Sequence, residues 1–183
     1  MLRFARNDQS HMNTTEKLLV IKAKAGDREA LSQLWDLTTP KLFGYLINIL
    51  RDKQLAEDIL QTTWLKAINA LHSFQVRDVG ISPWLFAIAK NECKQHWRKE
   101  IPNIELNAET ENITSPHNKT YENNLLVEQI FNKLGEEDRE LLRLRYIADL
   151  TPNDISKILK INYVALRVRL HRAIKRAQII ANQ

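Results

Sequence analysis

Residues 151–172 read Thr151-Pro152-Asn153-Asp154-Ile155-Ser156-Lys157-Ile158-Leu159-Lys160-Ile161-Asn162-Tyr163-Val164-Ala165-Leu166-Arg167-Val168-Arg169-Leu170-His171-Arg172. Thr151 is a helix cap, Pro152 suits the first helical position, and Asp154 supplies an acid at the third. This start signal predicts a short helix over Pro152 to Leu159. Lys160-Ile161-Asn162 reads as a turn, and Asn162 can cap a longer helix to about Ile180. Two helices joined by about three residues form the helix-turn-helix pattern. On a wheel at about 100° per residue, Leu166, Leu170, Ala173 and Ala177 gather on one side. Arg167, Val168, His171, Arg172 and Lys175 gather on the other. Small apolar residues inward and a basic stripe outward suit a helix lying in the major groove, where bases offer acceptors and phosphates carry charge. The alternative is the solvated face of an ordinary surface helix. Such faces mix both signs, yet here no acid follows Asp154, while Lys157, Lys160, Arg167, Arg169, Arg172, Lys175 and Arg176 do.

Upstream, Leu125, Ile130, Phe131 and Leu134 precede Gly135, and Glu136, Glu137 and Asp138 suit a helix N-terminus by dipole. Leu141, Leu142, Leu144 and Tyr146 continue that helix. Residues 101–120 carry Lys119 against Glu105, Glu109 and Glu111, with Pro102 and Pro116. This polar stretch lacks apolar periodicity and reads as a linker. Before it, every periodic segment is helical. Thr14 or Thr15 can cap a first helix. Gly26-Asp27 gives a turn and a new cap, followed by Leu31, Leu34, Trp35, Leu42, Tyr45, Leu46, Ile49 and Leu50, with a break expected at Pro40. Asp52 opens a helix with the stripe Ala56, Ile59, Leu60, Thr63, Trp64, Ala67, Ile68 and Leu71. A loop from His72 to Ser82 contains Gly80, and Pro83 then starts a helix to Lys99.

The expected architecture is all-α: two small helical domains joined by a flexible linker. Residues 1–13 are an N-terminal extension, 14–100 the first domain, 101–121 the linker and 122–183 the second domain. With 183 residues there is enough chain for such cores. Lys and Arg number 27 against 22 acids, a net charge of +5. That balance favours a polyanionic partner. Only Cys93 is present, which excludes an internal disulfide and a multi-cysteine zinc site. Four glycines are too few for a turn-rich β fold or a Gly-rich phosphate loop. No apolar run spans a bilayer, and the first thirteen residues lack a signal-peptide core. A reducing cytoplasm is the expected location.

The first domain's last helix carries Lys90, Lys94 and Arg98 at four-residue spacing. Trp84 and Trp97 lie close to that stripe and Phe74 in the loop before it. Aromatics beside cations suit unstacked bases as well as phosphates, although tryptophans taken singly are more often core. Cys93 and His96 are spaced as a C-x-x-H pair, but a zinc site needs about four ligands. No metal or cofactor is expected. Glu57-Asp58 lacks a partner for hydrolytic chemistry, and neither a Walker motif nor a nucleophile elbow occurs. The reading is of a non-enzyme without a small-molecule substrate.

Four stretches together resemble a known family. Leu55-Ala-Glu-Asp-Ile-Leu-Gln-Thr-Thr-Trp-Leu-Lys-Ala67 resembles region 2.2, and Trp84-Leu-Phe-Ala-Ile-Ala-Lys-Asn91 the start of region 2.4, of the bacterial sigma-70 factors. Asp138-Arg-Glu-Leu-Leu-Arg-Leu-Arg145 and Leu166-Arg-Val-Arg-Leu-His-Arg-Ala173 resemble region 4. The order and the linker resemble the small extracytoplasmic-function (ECF) type over residues 16–100 and 122–180.

The resemblance implies an initiation subunit that binds core RNA polymerase, directs it to promoter DNA and helps melt it. It implies that Asp58, Gln61 and Thr62 face the polymerase, with Thr62 standing where an acid is common. It implies that Ala70, Phe74, Ile88 and Asn91 form a pocket for a base flipped from the −10 element, beside Lys90, Lys94 and Arg98. A flipped base costs a few kcal/mol and needs an apolar wall and an amide for its edge. For the −35 element it implies Arg167, Val168, His171 and Arg172 at the bases, with Arg169 and Lys175 beside them. Lys160 replaces a usual turn glycine, and Ala165-Leu166 a common Thr-Val. Family members commonly meet an anti-sigma factor, so such a partner is expected. A stand-alone helix-turn-helix regulator would instead bind duplex tightly by itself. A degenerate adaptor would bind polymerase without directing it.

Overall fold

Aspartate, threonine and asparagine side chains cap the starts of four helices. The computed structural model describes residues 14–75, 80–100 and 125–182. The expected extension 1–13, residues 76–79 of the expected loop and the linker 101–121 lie outside them. α1 spans Thr14–Lys24, with Thr14 already helical. Gly26 turns at φ 91° and Asp27 caps α2, its side chain accepting from the Ala30 amide at 3.1 Å. α2 runs Arg28–Leu50 without interruption, so Pro40 does not break it. Pro40 removes one backbone donor and is exposed. Burial of Leu34, Thr38, Leu42, Tyr45 and Leu46 on the same helix outweighs that loss. Asp52 caps α3, Lys53–Ala70, through the Leu55 amide at 3.0 Å. A 3₁₀ turn, Leu71–Ser73, leads towards α4, Ile81–Glu100, with Pro83 in its first turn.

The second half opens with α5, Leu125–Lys133, and α6, Glu136–Leu142. The expected continuation through Tyr146 is not α-helical. Residues Arg143–Ile147 form one wide π turn, closed by the Ala148 amide on the Arg143 carbonyl at 2.9 Å. α7 spans Pro152–Leu159 as expected, with the Thr151 hydroxyl accepting from the Asp154 amide at 3.2 Å. α8 spans Tyr163–Ala181, capped by Asn162 at 2.8 Å from the Val164 amide. Lys160 takes the left-handed conformation at φ 54° between them. No strand occurs among the described residues.

Leu34, Tyr45, Leu85 and Phe86 fill the core of the first four helices, and Leu144, Ile155, Leu166 and Ala173 that of the last four. The two halves also pack on each other, α4 against α7 and α2 against the π turn. Polar ties cross the seam. Tyr45 Oη donates to Glu140 Oε1 at 2.9 Å, and Lys90 Nζ reaches the same oxygen at 3.1 Å. Arg143 Nε donates to Asn48 at 2.9 Å, and Lys41 pairs with Asp149 at 3.0 Å.

Candidate nucleic-acid and polymerase interfaces

α8 presents the face that its sequence pattern requires. Leu166, Leu170 and Ala173 are buried, while Arg167, Val168, Arg169, His171, Arg172 and Lys175 are all exposed. Val168, an apolar residue among cations, is 45 % exposed. The Arg167 guanidinium lies 5.9 Å from the Tyr163 ring centroid, a cation–π spacing. Arg176 belongs to the same basic run but faces elsewhere. It forks onto the Asp138 carboxylate, with Nη2 at 2.6 Å from Oδ1 and Nε on Oδ2. This pair ties α8 to the start of α6 and fixes α8 on its support.

α4 carries the second basic face. Lys94, Arg98 and Asn91 are exposed, Lys90 and Ile88 half-buried, and Ala70 at the end of α3 half-buried. Phe74 departs from its expected place at an open pocket wall. It is only 7 % exposed and packs against Trp84, with ring centroids 4.7 Å apart. It is thus a floor beneath the surface rather than an exposed stacking platform. The tryptophans follow the bland reading in part: Trp64 is buried against Trp35 at 4.9 Å, while Trp84 and Trp97 are half-buried.

The two basic helices, separate in sequence, meet at one cleft of about 420 Å³. Lys90, Lys94 and Trp97 of α4 line it opposite Lys160 and Arg169, with Glu136 and Glu140 between. Cys93 also lines it and is buried. Burial pushes the Cys93 thiol up to about 12, and the Glu140 charge adds to the shift. Burial likewise raises the Tyr45 hydroxyl well above its ordinary range, again with Glu140 contributing. Glu140 was not singled out by sequence reasoning. It looks like one more acid in a helix start, and only the tertiary fold brings it to Tyr45 and Lys90. No group of His, Cys, Asp or Glu side chains able to hold a metal occurs among the described residues.

A third face lies on α3. Asp58 and Gln61 are exposed and Thr62 half-buried. Leu65, 63 % exposed, continues the row at the helical spacing 58, 61, 62, 65. Sequence reasoning passed over Leu65. Its signal was a large apolar residue off the buried stripe. Ile68, expected in that stripe, is partly exposed as well. Lys66 Nζ meets the buried Glu92 carboxylate at 2.6 Å and locks α3 to α4.

Fold and faces define a helical protein with a helix-turn-helix and a second basic helix. Comparison with known families agrees: residues 34–101 match the model of sigma-70 region 2, and residues 124–176 that of sigma-70 region 4. The chain belongs to the sigma-70 family, as an ECF-type sigma factor of transcription initiation. It is 28 % identical to the ECF RNA polymerase sigma factor SigW of Bacillus subtilis, over 85 % of this chain and 91 % of SigW. It is 24 % identical to the ECF sigma factor BldN of Streptomyces coelicolor over 86 % of this chain, but spans only 62 % of that longer relative. Its fold resembles CnrH, solved in complex with the cytosolic domain of CnrY, with a TM-score of 0.69 at 20 % identity. That match covers 92 % of this chain and 97 % of CnrH. No helix among the described residues is long and apolar enough to cross a membrane.

Proposed function

We propose that this sigma factor binds core RNA polymerase, selects promoters by two elements and helps to open them. Residues 122–183 act as the duplex-reading domain. Arg167, Val168, His171 and Arg172 meet base edges of the −35 element, and Arg169 and Lys175 meet phosphates. Residues 14–100 act on the −10 element. Asn91 and Ile88, with Ala70 and the Phe74 floor, receive an unstacked base, while Lys90, Lys94 and Arg98 hold the strand. Asp58, Gln61, Thr62 and Leu65 face the polymerase: three polar side chains and an exposed leucine on one row suit an interface better than solvent. The observation that carries the reading is the uniformly exposed, acid-free face of α8 on a capped helix-turn-helix. A further part of the reading is an anti-sigma partner that covers these faces when the protein is silent; the fold's likeness to the sigma factor RpoE of Bartonella quintana, solved in complex with the anti-sigma factor NepR, supports such a partner.

Arg172→Ala tests the reading in transcription by the reconstituted holoenzyme. A major-groove contact of this type is worth about 1–3 kcal/mol and is base-specific. The variant should lose −35-dependent transcription by about tenfold or more and relax preference at one base pair. An adaptor that binds polymerase without reading DNA would be indifferent. Tight footprinting by the free protein alone would favour a stand-alone regulator.

A further inference from the structure

We infer that α1 positions the −10-reading surface by holding both ends of the connection from α3 to α4. The inference rests on the −10 reading proposed above. The α1 residues that make the clamp, Glu16 and Lys24, lie before the region that matches the family model, which begins at residue 34.

Glu16, Val20, Ala23 and Lys24 lie along one side of α1, with Val20 and Ala23 buried, Glu16 half-buried and Lys24 exposed. Glu16 and Lys24 stand eight residues apart, about 12 Å along the helix axis. Glu16 Oε1 accepts from the Ile81 amide at 3.0 Å, and its carboxylate also takes the Ser82 amide. A side chain from another helix thus caps α4, satisfying donors that the first turn cannot satisfy itself. The negative charge faces the positive end of the α4 dipole. At the other end, Lys24 Nζ donates to the Phe74 carbonyl at 2.6 Å. Phe74 is the residue whose ring packs under Trp84. Gly80 completes the arrangement: a Cβ there would stand 3.2 Å from Glu16 Oε1. Glycine leaves room for the carboxylate to reach α4.

The consequence is geometric. Ala70 and Phe74 come from one side of the connection, Ile88 and Asn91 from the other. Their mutual placement sets the shape offered to a flipped base. Bonds from α1 hold that shape before the base arrives, so less ordering remains to be done on binding. Glu16 and Lys24 are positioning residues and touch no base themselves.

The test uses holoenzyme on a fork-junction probe whose −10 strand was selected by the wild-type holoenzyme from a randomised library. The readout is discrimination between that probe and one changed at the flipped base, alongside protection of the −35 duplex. Glu16→Ala and Lys24→Met should each lower discrimination about fivefold while −35 protection stays unchanged. Glu16→Gln, which keeps an acceptor oxygen, should retain most of it. Gly80→Ala, which crowds the carboxylate, should fall between. Asn91→Ala separates the two claims. If Asn91→Ala loses discrimination while Glu16→Ala and Lys24→Met keep wild-type ratios, the clamp is overturned and the −10 reading stands. If Asn91→Ala changes nothing, the −10 reading itself is overturned. Parallel loss of −35 protection and core binding, or failure of all four clamp variants to fold, would make α1 a structural strut and overturn the positioning role.

Discussion

Lys160 sits at φ 54°, ψ 40° between α7 and α8, where glycine is the usual occupant. The Ile161 amide bonds the Ser156 carbonyl at 3.0 Å, so the turn closes despite the side chain. A non-glycine residue there costs about 1–2 kcal/mol, partly offset because glycine has more unfolded-state freedom to lose. Lys160→Gly should therefore stabilise the protein by up to about 1 kcal/mol, seen as a higher urea midpoint at unchanged slope. A lower midpoint would contradict the left-handed assignment. This turn was legible from residue types alone, as were the caps Asp27, Asp52, Thr151 and Asn162. Cap and turn chemistry is local, satisfied within about three residues. The depth of Phe74 was not legible. An aromatic in a connecting segment carries no periodicity, so nothing in the sequence distinguishes a wall from a floor.

At the scale of elements, periodicity marked the helices well and their interruptions poorly. α2 passes straight through Pro40, and the helix after Gly135 ends in a π turn at Arg143. Both outcomes are set by what packs around the element. α2 is held by α1 and α3 on its flanks. The wide turn carries buried Arg143 to Asn48 and to Glu136, at 2.7 Å. Pro40→Ala restores a missing backbone donor at an exposed position of a helix that already exists. It should stabilise the protein by about 1–3 kcal/mol, measurable by thermal unfolding. Destabilisation would mean that a local bend at Pro40 is needed for packing. On α8, the basic face was legible because sign and period coincide. The α3 row Asp58, Gln61, Thr62 and Leu65 was legible only in its polar members.

The whole molecule poses a problem of reach. Elements named for positions 35 and 10 base pairs upstream are about 25 base pairs apart, roughly 85 Å along straight duplex. In this structure Lys94 of α4 and Arg169 of α8 line one cleft of about 420 Å³. If α8 serves the −35 element and α4 the −10 element, as proposed above, the two faces cannot reach both from that arrangement, and the halves are expected to part before a promoter is engaged. Glu140 supplies two of the polar ties between them, to Tyr45 and Lys90, which stand 95 and 50 positions away in sequence. No local pattern could have revealed that contact. Glu140→Ala leaves the buried Tyr45 hydroxyl without this acceptor, a cost of about 1–3 kcal/mol borne by the closed form. Cys93, 1 % exposed beside the seam, reports on opening. Its modification by a thiol reagent should be slow in the wild type, because a raised thiol holds little thiolate. In Glu140→Ala the rate per thiolate, with the Cys93 thiol titrated in each protein because Glu140 also raises it, should rise about tenfold, in step with the open population. An unchanged rate would show that the halves do not depend on Glu140.

If α8 and α4 read DNA as proposed, this chain gives polymerase its promoter choice. That role is tested most directly by run-off transcription with cognate core polymerase over a randomised promoter library, with and without the protein. One paired −35/−10 sequence should be enriched only when the protein is present, with the −35 half lost in Arg172→Ala. Absence of any enrichment with folded protein bound to core would contradict it.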